Sequence, residues 1–581
     1  MEDLPIFLSA QPDDYYFIWQ LELQLINFKS LSIPPDKVHI LVSYNSKRGV
    51  RDYFIEFADR YSHNACIYFY PDTRDKKKYL SSIRPNIIRQ HFEQHPFLCS
   101  SEIFYHDSDI IFRKLPDFKL MKDNTQWYAS DTGSYLNIEY ISRYGGADLL
   151  SLMCKSVGID YKVVIENNSE VNGAQYFIKN VSIDFWESLE TDSETLFNVL
   201  RDYNFAKSDE LYTLNESMRS GYQGISTWYA DMWAFLWNAW KRGIAVKKHA
   251  ELDFCWPYDS IERWENTNIL HYSGFIDSED KSLFRKGNYP HHSPYYDHTL
   301  ALISEQTCSS PIKLLIGEAL QIFNQSRHNL SDVTFIIPVF IDSESRLINL
   351  YTVVSYLSKY FNSNIILIES GAESRINVSF LNDSCHYIFH ENPDPLFHRT
   401  HAINTAVKLC LTPIVGVFDC DVVLSIDQIL ESVSFIRSNQ YDLVYPYDGE
   451  FINVDSLYKN MFSKILDIKL LIDNRDKFWT LTKRSYGGAF FISKKLYSKA
   501  GLENENFRSW GPEDLERKKR MLILGYRLKR IDGPIFHLIH DRKDNSKYTS
   551  NLKGVYFDEY FSICNMRKPE LLSYISSWSW T

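Results

Sequence analysis

The sequence predicts an α/β protein assembled from two mostly parallel sheets in tandem, and three of its features lead there. The chain has 581 residues, enough for several domains that each bury a core. Short apolar runs alternate with helix-period stretches in both halves, the pattern of strands buried between helices. Each half also carries an apolar strand that ends in two closely spaced aspartates, Asp107-Ser108-Asp109 and Asp419-Cys420-Asp421. The repeat is one of pattern, since the halves share little literal sequence.

In the first half, residues 39–43 and 102–112 read as strands. In the second half the counterparts are 334–340, 364–368 and 414–421, with helical patterns at 343–360 and 400–410. Core patterning fades from about Asp277 to Asp332, through Gly287-Asn288-Tyr289-Pro290 and a helix-like stretch from Lys313 to Ser326. Domains are therefore expected at 1–305 and 333–581, joined by a helical connector over 306–332. The last residues, 576–581, are too aromatic for a plain solvated terminus.

Composition excludes some functions. Lys and Arg number 63 against 74 Asp and Glu, and the net charge of −11 has the wrong sign for coating nucleic acid. Aromatics reach 15%, with faces that suit sugar rings as well as cores. The 9 cysteines include no Cys-x-x-Cys pair, which argues against a disulfide framework or zinc ribbon and for a reducing cytoplasm. Met1-Glu2-Asp3 puts acid where a secretion signal carries base, so no such signal is expected. No stretch approaches the ~18–20 apolar residues of a membrane span. The expected location is cytoplasmic, with any membrane contact peripheral and at the inner face.

The chemistry of the second half gathers at strand ends. Asp419-Cys420-Asp421 lies at the carboxyl end of a buried strand, where open α/β sheets place ligands, and paired carboxylates there can hold a divalent ion. Alone, Asp-x-Asp also suits a solvated loop or helix cap. Gly487-Gly488 follows, then Trp510-Gly511-Pro512-Glu513-Asp514 at the start of a helix over 515–524. The helix dipole favours ionised acids in that first turn, whether as caps or as a catalytic base. Pro534-Ile535-Phe536-His537-Leu538-Ile539-His540 then offers two imidazoles at His-x-x-His spacing.

In this order the segments resemble the β-1,4-galactosyltransferase and chondroitin-polymerase group of inverting glycosyltransferases with the GT-A fold, over about 333–550. Phe397-His398-Arg399-Thr400-His401-Ala402-Ile403-Asn404 is similar to that family's Phe-Asn-Arg-x-x-x-x-Asn segment beside the nucleotide, and Trp510 to Asp514 to its Trp-Gly-Gly-Glu-Asp. The resemblance implies Asp421, His537 and His540 as metal ligands, His537 standing where the animal enzymes have Met. It implies Asp514 as catalytic base and Glu513 as the acid that grips the acceptor. Pro338, Arg346, Phe397, Arg399, Asn404, Asp419 and Gly488 become nucleotide contacts. Pro512 and His398 depart from the pattern, so donor identity does not carry over.

In the first half, Asp107-Ser108-Asp109 is followed far downstream by His271-Tyr272-Ser273-Gly274. That order resembles GT-A enzymes of the glycogenin and lipopolysaccharide-galactosyltransferase kind. More weakly, Tyr16-Phe17-Ile18-Trp19-Gln20 and 106–112 are similar to plant peptidyl arabinosyltransferases. The likeness implies Asp107, Asp109 and His271 as metal ligands and Gly274 as a diphosphate contact. Asp231 opens a helical stretch and is a candidate to face the sugar, its bland alternative being a helix N-terminal acid. Arg84, Arg285 and Lys286 are candidate phosphate contacts. Trp233, Trp237 and Trp240 recur at helical spacing, which favours core packing over a sugar platform. Neither inversion nor retention follows from these residues.

The sequence-level expectation is therefore two GT-A, Rossmann-like nucleotide-sugar-binding domains in tandem. Each would use one Mn²⁺ or Mg²⁺ and a UDP-sugar donor, acting on a glycan or lipid-linked oligosaccharide such as a capsule or lipopolysaccharide precursor. One alternative confines catalysis to the second half and makes the first an acceptor-binding module. Another is a non-enzymatic scaffold with lectin-like aromatic surfaces.

Overall fold

The computed structural model describes residues 4–581 except 76–77, 122, 124, 275–279, 325–326, 382–383, 510 and 542–551. The sequence-level readings at Met1 to Asp3, Asp277, Ser326 and Trp510 lie outside the described residues. Two compact units form, Met1–Pro294 with Leu302–Ala319, and Tyr295–Ala301 with Leu320–Thr581. The helix expected as a connector spans Ser309–Asn324, and the division between units runs through it.

The strands of the first unit are β1 (Ile6–Pro12), β2 (Val38–Tyr44), β3 (Cys66–Pro71), β4 (Glu102–Tyr105), β5 (Ile110–Phe112), β6 (Gln126–Asp131), β7 (Asn172–Lys179), β8 (Ala245–Lys248), β9 (Phe254–Cys255) and β10 (Ile269–His271). Those of the second are β11 (His328–Val339), β12 (Phe361–Gly371), β13 (Cys385–Glu391), β14 (Ile414–Phe418), β15 (Val422–Val423), β16 (Leu443–Tyr445), β17 (Phe451–Val454), β18 (Trp479–Thr482), β19 (Ala489–Ser493), β20 (Leu528–Arg530) and β21 (Ile535–Leu538).

The larger sheets run β3-β2-β1-β4-β7-β6-β8 and β13-β12-β11-β14-β19-β16-β20, the same order twice. In each, the first four strands are parallel and the fifth, β7 or β19, is antiparallel to both its neighbours. The mostly parallel α/β class is thus observed in both units. A smaller sheet accompanies each, β5-β10-β9 and β15-β21-β17-β18.

Both large sheets are covered on two faces. Ile6, Leu8 and Ala10 of β1 pack into one core cluster while Phe7 enters the other, and in β11 Phe335 and Ile337 oppose Ile336 in the same way. Six helices position the chemistry: α1 (Tyr15–Ser30), α2 (Ile83–Gln94), α3 (Ala230–Lys241), α4 (Glu344–Tyr360), α5 (Arg399–Leu409) and α6 (Glu513–Leu524). Trp233, Trp237 and Trp240 of α3 are buried in the first core, as their spacing suggested. Trp578 near the end of the chain is buried in the second.

Two sequence-level boundaries change. The single strand expected over 102–112 is split, because β4 ends at Tyr105 and the aspartate loop turns the chain into β5, which belongs to the smaller sheet. Strand β11 begins at His328, ahead of the expected domain start, because His328 and Asn329 already pair with Phe361 and Asn362 before a bulge.

Strand β5 is an edge strand, and α1 completes its hydrogen bonding. Asn27 Nδ2 donates to the Phe112 carbonyl at 2.9 Å, and the Phe112 N–H donates to Asn27 Oδ1 at 2.8 Å. Asn27→Ala leaves two buried backbone groups unpaired, so it is expected to destabilise the first unit by about 1–3 kcal/mol. A denaturant titration should show that loss as a lower midpoint with an unchanged slope.

Candidate active sites

The second site is built where β14 ends. Strand β15 follows Asp421 immediately and pairs antiparallel with β21, setting Val422 opposite His537. His540 Nε2 lies 3.1 Å and His537 Nε2 3.8 Å from Asp421 Oδ2. These three side chains offer one ligand atom each within 4.8 Å of one another. His537 Nδ1 sits 2.6 Å from Asn453 Oδ1, and His540 Nδ1 2.9 Å from the Asp541 carbonyl. With a cation bound, an Nδ1–H donated to each of these acceptors would leave each Nε2 lone pair for the metal, the tautomer a metal ligand needs. The carboxylate and two imidazoles therefore suit a divalent cation such as Mn²⁺. Burial pushes Asp421 upward, but His537, His540 and Arg346 outweigh it and hold the carboxyl well below its usual range.

Around this triad lie half-buried charges. Arg346 Nε donates to Asp342 at 3.0 Å, and its Nη1 is 4.0 Å from Asp421. Arg399, the first residue of α5, donates to Asp419 Oδ1 from Nε at 2.9 Å and Nη2 at 2.6 Å. Its Nη1 is buried with no hydrogen-bond partner among the described residues, a donor that an anionic ligand would satisfy.

Gly488 ties the metal loop to the acid at α6. Its carbonyl accepts the Asp419 N–H at 2.8 Å, and its φ of +86° is the left-handed conformation glycine tolerates. Gly487 lies so near Asp514 that a Cβ there would sit 2.5 Å from Oδ2. Asp514 Oδ1 accepts from Arg517 Nη2 at 2.5 Å, and Arg517 Nη1 reaches Glu503 at 2.8 Å. Arg517 is fully buried and stacks over Phe490 at 3.9 Å. Burial raises Asp514, but Arg517 and Arg399 overcome it, so the carboxyl stays ionised. Glu513 is pushed up to about 8 by burial and by the adjacent Asp514 charge.

The first site repeats this arrangement. Asp109 precedes β5, and β5 pairs antiparallel with β10 so that Ile110 faces His271. His271 Nε2 is 3.3 Å from Asp109 Oδ1 and 3.7 Å from Asp107 Oδ2, and the three offer ligand atoms within 4.8 Å. Two carboxylates and an imidazole also suit a divalent cation. Gln175 Nε2 is 3.4 Å from His271 Nδ1, and Gln175 Oε1 accepts from Ser130 Oγ at 2.7 Å. A turned Gln175 amide would accept from Nδ1–H instead and free Nε2 for a metal. Lys286 pairs with Asp109. Lys286 and His271 hold that carboxyl low against its burial. Arg84 Nη1 is 2.6 Å from Asp107 and 4.0 Å from Asp231, and the Tyr79 hydroxyl is 2.7 Å from Asp231 Oδ1.

Gly274, with φ +95°, backs onto Tyr258 and Trp256, and Trp256 stacks on His271 at 5.2 Å. Trp256 also lines a cavity of about 810 Å³ with Asp131, Lys248, Asp253 and Arg263.

Other sequence-level candidates fall beside these centres. Asn404 spends its amide on Glu503 and Glu505, bracing the loop before α6. Pro338 is buried within β11 opposite Ile368. Phe397 packs near Phe340, ring centroids 6.1 Å apart. Sequence reasoning missed Tyr79, Asn453, Glu503 and Arg517. None belongs to a spacing pattern, although Arg517 follows Asp514 by one helical turn, a signal for an ion pair.

No protein-family model and no curated protein matches the chain. Among solved structures, it is similar to GalNAc-T7 with UDP, GalNAc and Mn²⁺, at 12% identity and a TM-score of 0.29 over 42% of this chain and 50% of that one. The chain thus matches about half the length of that neighbour. A likeness of that score is no argument for function, and the weight falls on the two sites themselves.

Glu513 makes stability depend on pH. Its folded value near 8 exceeds the ordinary 4.5, so between the two the folded chain keeps a proton that the unfolded chain releases. Stability should fall as pH rises across that window. In Glu513→Gln, the drop in melting temperature from about pH 5 to 8 should be smaller than in the parent, as read by thermal denaturation at each pH.

Proposed function

We propose that the chain is a metal-dependent glycosyltransferase with two active sites, moving sugars from UDP-sugar donors to a glycan or lipid-linked oligosaccharide. The observation that carries this reading is the ionised, half-buried Asp514, packed against Gly487 in the loop whose next carbonyl, that of Gly488, accepts the Asp419 N–H, with the cation-competent Asp421, His537 and His540 set following at the carboxyl end of β14. An ionised acid next to a metal site is the pairing needed to deprotonate one alcohol and release a diphosphate.

In the second unit, Asp514 takes the proton of the acceptor hydroxyl as its oxygen attacks the anomeric carbon. Arg517 fixes that carboxylate, and protonated Glu513 can donate a hydrogen bond to the acceptor. Arg399 offers its unpaired Nη1 to the donor phosphates. Asp421, His537 and His540 would hold a divalent cation, whose charge would neutralise the diphosphate leaving group. One in-line displacement inverts the anomeric centre, so an α-linked donor gives a β-linkage.

In the first unit, Asp107, Asp109 and His271 would hold the cation, with Arg84 and Lys286 turning to phosphate when the donor enters. The cavity beside Trp256 offers an aromatic ring and charges of both signs, furnishings that suit a saccharide acceptor. No helix among the described residues is long and apolar enough to cross a membrane. A lipid-linked acceptor would be met at the membrane surface.

Released UDP from a panel of UDP-sugars with Mn²⁺ tests the reading. Asp421→Ala and Asp109→Ala should each remove one component of turnover. If neither lowers it, the metal assignments fail, and if only Asp421→Ala does, the first unit is an acceptor-binding module. Asp514→Ala should reduce transfer by the second unit by at least about 100-fold while UDP binding, read by calorimetry, persists.

A further inference from the structure

The two sites correspond residue by residue, and the correspondence comes from register. Strands β4 and β14 hold the same place in their sheets, and each leads into a loop whose second aspartate directly precedes a strand of the smaller sheet. The next residue, Ile110 or Val422, faces the histidine, His271 or His537. Asp107 thus answers to Asp419, Asp109 to Asp421 and His271 to His537. Along the β4–β7 and β14–β19 ladders, Tyr105 faces Tyr176 and Phe418 faces Ala489. Continuing each register to the first aspartate matches Ala174 with Gly488, and both are left-handed, at φ 65° and 86°.

Two further pairs matter for the reaction. Helices α2 and α5 both lead into the central strand, and each presents an arginine in its first turn to the first aspartate. Arg84 reaches Asp107 at 2.6 Å and Arg399 reaches Asp419 at 2.6 Å. Helices α3 and α6 each lead directly into the edge strand, β8 or β20. In chain order each lies between that strand and the antiparallel strand, β7 or β19, with further helical segments intervening, chiefly Ile183–Leu214 in the first unit and Lys494–Lys499 in the second. The second residue of each is an acid, Asp231 and Asp514. Gly173 sits where Gly487 does, and a Cβ there would meet Met232, the neighbour of Asp231, at 2.8 Å.

The residues that steady the two acids are unrelated. Asp514 is held by Arg517, whose place in α3 is taken by Ala234. The Tyr79 hydroxyl, from a separate loop, lies 2.7 Å from Asp231 Oδ1 and 2.6 Å from the Trp228 carbonyl, and it accepts the Asp231 N–H at 3.4 Å, so it ties the acid to the start of its helix. An acid kept in one place by two different supports belongs to the site rather than to either support.

We propose that the first unit transfers sugar with inversion, Asp231 acting as its base and Tyr79 as the residue that positions it. This rests on the reading of that unit as a glycosyltransferase. The acceptor oxygen forms its bond to the anomeric carbon as the bond from that carbon to the diphosphate oxygen breaks. The acceptor proton passes to Asp231, and the electron pair leaves with UDP. Ala230 stands where the second unit has Glu513, and Gly274 where it has His540, so at these two positions the first site has neither the second acid nor the second imidazole among the described residues.

Water can stand in for the unidentified acceptor. The full chain carrying Asp514→Asn is given α-linked UDP-sugars with Mn²⁺, and the first-formed free sugar is read by proton NMR before it mutarotates. The β-anomer is expected. Adding Asp231→Asn should lower turnover at least about 100-fold, the lower end for a lost general base, with UDP affinity unchanged by calorimetry. Tyr79→Phe should lower kcat with little change in donor KM, and it carries the test if Asp231→Asn unfolds. An α-anomer, undiminished turnover in Asp231→Asn, or a Tyr79→Phe effect confined to KM overturns the inference and leaves glycosyl transfer standing. No Asp109-dependent turnover of any donor overturns the reading of the first unit as a transferase, and the inference with it.

Discussion

A short antiparallel ladder does the decisive work in each unit. Asp421 and His537 are far apart in sequence, and the bonds between β15 and β21 bring them together. Strands β5 and β10 do the same for Asp109 and His271. Neither short strand would persist alone. Each is backed by a helix side chain, Asn27 on the Phe112 backbone and Asn349 on the Leu538 carbonyl at 2.7 Å. The cation-competent geometry is therefore a consequence of strand register: a slip of one residue would turn the histidine to the opposite face.

Register brings the ligands together, and two arginines, the buried Arg517 and the half-buried Arg399, make the assembly tolerable. Placing Glu503 in the interior would cost several kcal/mol if it were unpaired, and the half-buried Asp419 and Asp514 carry a smaller share of the same cost. Arg399 and Arg517 offset that cost by direct contact, and Arg517 serves two acids at once. This fixes the Asp514 carboxylate in one place and keeps it ionised, whereas its neighbour Glu513, without such a partner, goes to the neutral form. Two adjacent acids acquire different protonation states from their different contacts, the arrangement by which a site divides proton acceptance from hydrogen-bond donation.

Legibility in the sequence followed the range of each signal. The Asp-x-Asp loops, the His-x-x-His strand and the α6 acids stood out because each joins a chemical residue type to a local period. Strand β1 escaped because Ser9, Gln11 and Pro12 interrupt its apolar run, yet Ser9 and Gln11 are buried and Gln11 donates to the Leu41 carbonyl at 2.8 Å. Tyr79 and Asn453 act through partners distant in sequence, which no local pattern records. The aromatic excess is largely core: Phe7 alone packs against Phe28, Phe104, Phe112 and Phe118.

The same order of strands supports two sites of different charge. The second offers one carboxylate and two imidazoles, the first two carboxylates and one imidazole. Oxygen-rich sets suit harder cations and nitrogen-rich sets borderline ones, so the two ligand sets differ in the cations their chemistry would favour. The extra carboxylate of the first is balanced by Lys286, which pairs with Asp109. A donor phosphate that drew Lys286 away would expose that carboxylate to the cation, so donor and metal should help each other bind there. In the second site the nearest cation to Asp421 is Arg346 at 4.0 Å, already engaged by Asp342. Arg346 is thus held off Asp421, and the two halves differ in the charges around their ligand sets rather than in the order of their strands.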